Sequence, residues 1–152
     1  MNKSIHSAVL IAVISTILNL ISGNSSSAQV IKLDSRLKPD PLVVNGKSGG
    51  NQNSNCGFIT AKPNQIIQIA ESLPYLRFTV EGTGKPTLLI EGPGGRFCVL
   101  ADNYSGDKPE ISGYWNPGRY SLHIGDISEG EYNYTLSISQ QKTPKRSSMN
   151  DE

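Results

Sequence analysis

The chain has 152 residues, of which 36% are hydrophobic and 18% charged, and its 14 Lys and Arg stand against 13 Asp and Glu. A balance this even offers no electrostatic footprint for nucleic acid, and two cysteines with two histidines are too few for a metal cluster or a redox relay. The length after any leader suits one domain with a single core.

The front of the chain has the three parts of an export signal. Lys3 supplies a positive start, Ala8 to Ile21 is almost wholly apolar, and Ser26 and Ala28 occupy the small-residue positions before a cut expected between Ala28 and Gln29. The apolar run is about 14 residues, which at 1.5 Å each falls short of a bilayer core of about 30 Å, so residues 1–28 are read as a cleaved signal peptide rather than an anchor. The mature protein is then secreted or periplasmic, without stable membrane insertion. Removing Lys3 leaves 13 basic against 13 acidic residues.

Residues 29–54 show little periodicity and end in the Gly, Asn and Ser-rich stretch Asn45 to Asn55, so they are read as a flexible lead-in. The folded unit is expected over 55–140. Within it the governing period is two. Phe58 to Ala61 and Gln65 to Ala70 are short apolar segments. Tyr75 to Glu81 alternates cleanly, with Leu76, Phe78 and Val80 facing inward. Thr87 to Glu91 and Phe97 to Ala101 follow, separated by the glycine turn Gly92 to Gly95. Arg119 to Ile124 sends Tyr120, Leu122 and Ile124 inward and Ser121 and His123 outward. Glu131 to Ser139 sends Tyr132, Tyr134, Leu136 and Ile138 inward. Further turn signals stand at 82–84, 116–118 and 128–130. Short alternating strands punctuated in this way make an all-β fold, a small antiparallel β-sandwich. Residues 141–152 read as a disordered polar tail.

Cys56 and Cys98 both lie in the mature part, and in an oxidising compartment a lone pair forms one disulfide. Its job is structural. Hydrolytic chemistry lacks its parts: His123 is the only mature histidine, and Ser121, two residues away on the same strand face, stands about 7 Å off at Cα. The chain is therefore read as no enzyme. Calcium has two candidate loops, 102–110 and Asp126 to Glu131, but neither has the EF-hand spacing and Lys108 puts a positive charge in the first; no cofactor is expected. The ligand-contact candidates are Asn103, Tyr104, Asp107, Tyr114 and Trp115, where aromatic faces stand beside amide and carboxylate groups suited to a glycan or a peptide. The bland alternative is that Tyr114 and Trp115 cap one end of the core.

Three segments carry a family resemblance. Tyr75 to Val80 (YLRFTV), Leu88 to Arg96 (LLIEGPGGR), and Trp115 to Gly125 (WNPGRYSLHIG) followed by Tyr134 to Ile138 (YTLSI) are together similar to the bacterial pre-peptidase C-terminal domain, a jelly-roll-like β-sandwich whose end reads "PGxYxLxVG … YTLxV". The paired cysteines and Leu73-Pro74 depart from that pattern. The resemblance implies a non-catalytic accessory or binding module of exported proteins, contacting glycan or protein. The alternative is a structural or regulatory partner, inhibitor-like or chaperone-like, of an exported peptidase.

Overall fold

The computed structural model describes residues 28–101 and 106–142. Every regular element in them is a strand: β1 (Gln29–Leu33), β2 (Leu42–Gly50), β3 (Gln52–Ser54), β4 (Gly57–Ile59), β5 (Gln65–Ile69), β6 (Leu73–Gly82), β7 (Pro86–Gly92), β8 (Gly95–Val99), β9 (Glu110–Trp115), β10 (Gly118–Asp126) and β11 (Gly130–Ser139). They form two stacked sheets. The four-stranded sheet runs β2-β11-β6-β9 and is antiparallel throughout. The seven-stranded sheet is organised by the long β10, which pairs with β5 through its first half, with β7 along its other edge, and with β4 at Asp126. Strand β8 extends β7, and β1 closes the opposite edge by parallel pairing with β5, the one parallel pair among the named strands.

The core lies where the expected inward faces meet. Leu76, Phe78 and Val80 of β6 and Tyr134, Leu136 and Ile138 of β11 pack against Leu88 and Ile90 of β7 and Tyr120, Leu122 and Ile124 of β10. Tyr132 falls at the strand end, half-buried, with its hydroxyl donating to the Glu129 carbonyl at 3.1 Å. Each expected turn joins two strands, and Gly92 to Gly95 makes the β7–β8 hairpin.

Residues 29–54 correct the reading of a flexible lead-in. They form three strands, and β2 pairs with β11 from Gly50↔Gly130 to Leu42↔Ile138. The inward positions of β2 explain why the pattern was hidden: Leu42 and Val44 pack on the core, but the next two are Gly46 and Ser48, so the oily rhythm stops while the strand continues. Gly46 is required there, because a Cβ would stand 2.7 Å from the Tyr134 ring. In β1, Ile31 and Leu33 join the core. The sandwich thus begins at Gln29. Its far end is tied to the β1–β2 connection: the Gln140 amide N–H donates to Asp40 Oδ2 at 3.0 Å and the Ser139 hydroxyl to Asp40 Oδ1 at 2.6 Å. The remainder of the expected tail, and the expected leader before Ala28, lie outside the described residues.

Cys56 and Cys98 are bonded, with Cα atoms 5.5 Å apart. The bridge spans the outer face of the seven-stranded sheet rather than its centre. Cys98 belongs to the exposed edge strand β8, opposite Leu89. Cys56 precedes β4 and packs with Ile59 and Leu89 in a small second core. Thr87 holds this cover in place by donating its hydroxyl to the Cys56 carbonyl at 2.6 Å.

Candidate functional site

The expected ligand-contact residues do not converge. Asn103 and Tyr104 lie outside the described residues. Asp107 is exposed in the loop leading to β9, with a φ of 60°. Tyr114 and Trp115 are adjacent in β9, and a strand sends neighbours to opposite faces. Trp115 goes inward and is 8% exposed. It stands edge-on to Phe78 and Tyr120 at centroid distances of 4.9 and 5.3 Å, and its indole N–H donates to the Leu76 carbonyl at 3.0 Å. A ring so enclosed caps the core and has no free face for a ligand, which removes Trp115 from the candidate surface.

Tyr114 goes outward and is 60% exposed, more than any other large hydrophobic side chain among the described residues. Its surroundings are polar. Ser112, Glu110, Arg77 and Thr79 share the outer face, with Thr79 donating to Glu110 Oε2 at 2.9 Å. Between Leu76↔Gly113 and Leu73↔Trp115 the register slips by one residue, so Pro74 and Tyr75 of β6 stand opposite Tyr114 alone. Tyr75 carries Lys142 Nζ 5.8 Å over its ring.

His123 corrects a second expectation. It does face outward from β10, but the register His123↔Leu89↔Cys98 places it beneath the disulfide-held cover, and it is 7% exposed. Its Nδ1 donates to the Thr60 carbonyl at 3.1 Å, and Nε2 lies 4.0 Å from Glu91. In the second acidic loop, Asp126 is fully buried, with Oδ1 accepting from the Ser128 amide at 2.9 Å. Lys108 of the first loop pairs with Glu81 at 2.6 Å. Among the described residues, no three His, Cys, Asp or Glu side chains come together.

One concavity was not anticipated. At one end of the sandwich, β2 around Gly46, the connection 60–65 and the start of β1 enclose about 820 Å3 above Gln65 and Tyr134. Burial raises the Tyr134 phenol above its ordinary value, against a smaller opposing effect of the Gln65 amide, which donates to it at 3.3 Å. A glycine inside a strand signals close approach of another group, so Gly46 was the available clue.

No protein-family model matches the chain. An uncharacterized protein of Synechococcus elongatus is 39% identical over 102 residues, which cover 64% of this chain and 75% of that protein. This chain belongs to its family. Among solved structures, the pre-peptidase C-terminal domain of a collagenase from Bacillus anthracis is 15% identical, covering 74% of this chain and 95% of that domain, with a TM-score of 0.49. A periplasmic inhibitor of g-type lysozyme from Salmonella Typhimurium is 11% identical, covers 74% of this chain and 98% of its own, and gives a TM-score of 0.42. Likenesses this distant say nothing of ligands.

Proposed function

We propose that this chain is an exported, non-catalytic module that holds a glycan against the outer face of its four-stranded sheet, around Tyr114. Export is supported by the signal-like first residues and by the Cys56–Cys98 bridge, a bond that persists in oxidising compartments and is rare in the cytosol. A non-catalytic role is supported by His123, whose ring is enclosed and whose Nδ1 is committed to a backbone carbonyl. A general base must reach the proton it removes.

The exposure of Tyr114 is the observation that carries the reading. Among the described residues it stands beside Tyr75 and Pro74 on an otherwise polar part of the sheet, not within a broad apolar cluster of the kind that anchors protein partners. A tyrosine presents an apolar face with a polar tip. The C–H face of a sugar can lie on such a ring while its hydroxyls reach neighbouring serine, carboxylate and guanidinium groups. The test is an array of bacterial envelope glycans probed with the native chain and with Tyr114→Ala, each checked for folding by circular dichroism. The native chain should retain at least one glycan class, and Tyr114→Ala should weaken it about tenfold, the equivalent of about 1.4 kcal/mol. A folded native chain that retains no glycan, or a variant that binds equally well, would refute the proposal.

A further inference from the structure

The groove at the end of the sandwich has the size of a small-molecule site and a floor that is chemically incomplete. Gln65 stands on the core-facing side of β5 and is 6% exposed. Its Nε2 donates to the Tyr134 phenolic oxygen, but its Oε1 is buried without a partner. A buried polar atom left unpaired costs the fold free energy, and native chains leave few of them. The arrangement is also built rather than incidental. Gly46 lacks the Cβ that would collide with the Tyr134 ring and hydroxyl, and so lets the phenol reach Gln65.

We propose that this groove is a binding site for a sugar residue, one of whose hydroxyls completes the hydrogen bonding of the Gln65 amide. Gln65 lines the groove, and the head atom of its amide that Tyr134 does not engage is left unpaired whichever way round the amide sits. A hydroxyl answers either atom, because a single group both donates and accepts. The rim agrees with a neutral, many-hydroxyl ligand. Lys47 and Lys62 offer donors, Glu131 and Asn45 offer acceptors, and the two signs together do not select an anion.

An added peptide strand is disfavoured at the same place. On the β2 edge the Lys47 carbonyl, which an incoming strand would need, already accepts from Asn64 Nδ2 at 2.9 Å. Asn64 is fixed at its other end too, since its Oδ1 accepts from the Ile124 amide at 2.7 Å. The connection 60–65 is thereby pinned as one wall of the groove. This site shares no residue with the Tyr114 face and stands independently of it.

The experiment is a titration of the isotopically labelled, oxidised chain with glucose, N-acetylglucosamine, maltose and N,N′-diacetylchitobiose at millimolar concentration, followed by nuclear magnetic resonance. The tripeptide Gly-Ala-Gly and the variant Tyr114→Ala serve as controls. One of the sugars should shift the Gln65 side-chain amide and the backbone signals of 46–48 and 60–65 in a saturable way, and should do so equally in Tyr114→Ala. Gln65→Met should weaken that sugar about tenfold or more while the chain stays folded. If Gln65→Met fails to fold, Tyr134→Phe, which keeps the ring and loses the hydroxyl, should give the same loss. The site is overturned if no sugar moves those signals, if the tripeptide moves them as strongly, if the shifts vanish with Tyr114→Ala, or if the folded variant binds like the native chain.

Discussion

Replacing both Cys56 and Cys98 with alanine removes a cross-link between positions 42 residues apart. Closing a loop of that length restricts the unfolded chain by about 4 kcal/mol in the chain-entropy account. The folded state also loses a contact, since Cys56 is fully buried against Ile59 and Leu89. Against a net stability of roughly 5–15 kcal/mol this is a large fraction. For a domain of this size about 4 kcal/mol corresponds to a fall in Tm of about 15 °C, measurable by calorimetry. The location of the bridge makes the prediction sharper. Among the described residues the exposed edge strand β8 pairs with β7 alone, and the bridge ties it to the cover 55–60. Amide hydrogen exchange in the double variant should therefore accelerate first in β8 and the cover, and His123 should become accessible. The β2-β11-β6 ladder should keep its protection. A fall in Tm of only about 2 °C, or uniform loss of protection across both sheets, would show that the bridge does not do this work.

Gly46→Ala places a methyl group 2.7 Å from the Tyr134 ring and should cost about 2 kcal/mol by denaturant unfolding. Trp115 fluorescence should be blue-shifted and resistant to iodide in the native chain, and Trp115→Ala should cost about 3–5 kcal/mol, since it loses the Phe78 and Tyr120 contacts and the indole bond to the Leu76 carbonyl. Stability should fall at high pH. Burial raises the Tyr134 and Tyr120 phenols in the folded state, so their contribution is intact below the unfolded value of about 10 and is lost as pH climbs beyond it, because the unfolded chain releases those protons first. Tyr134→Phe should flatten that decline in a pH series of urea melts.

The strands legible in advance were those whose inward residues are all oily. β6, β10 and β11 alternate without interruption because their inner positions fill the space between two sheets. β2 was illegible for the opposite reason: its inner half is Gly46 and Ser48, small residues that make room for Tyr134. The same substitution of space for oil hid the groove. β9 has no place among the alternating segments because Gly113 interrupts the pattern between Ile111 and Trp115. His123 was placed on the correct face, but its burial depends on a cover drawn from residues more than sixty positions earlier, which no local pattern records. The disulfide was legible because composition alone left the two cysteines no other partner. The split between Tyr114 and Trp115 follows from the two-residue period once β9 is known to be a strand.

The most direct measurement is a titration of the labelled chain with the soluble form of whichever glycan the array retains, with the glycan recovered afterwards and weighed by mass spectrometry. Shifts concentrated on 110–114 and 75–77, together with a ligand of unchanged mass, are the expected result. A shortened ligand, or shifts confined to other parts of the sandwich, would contradict a non-catalytic module that binds through Tyr114.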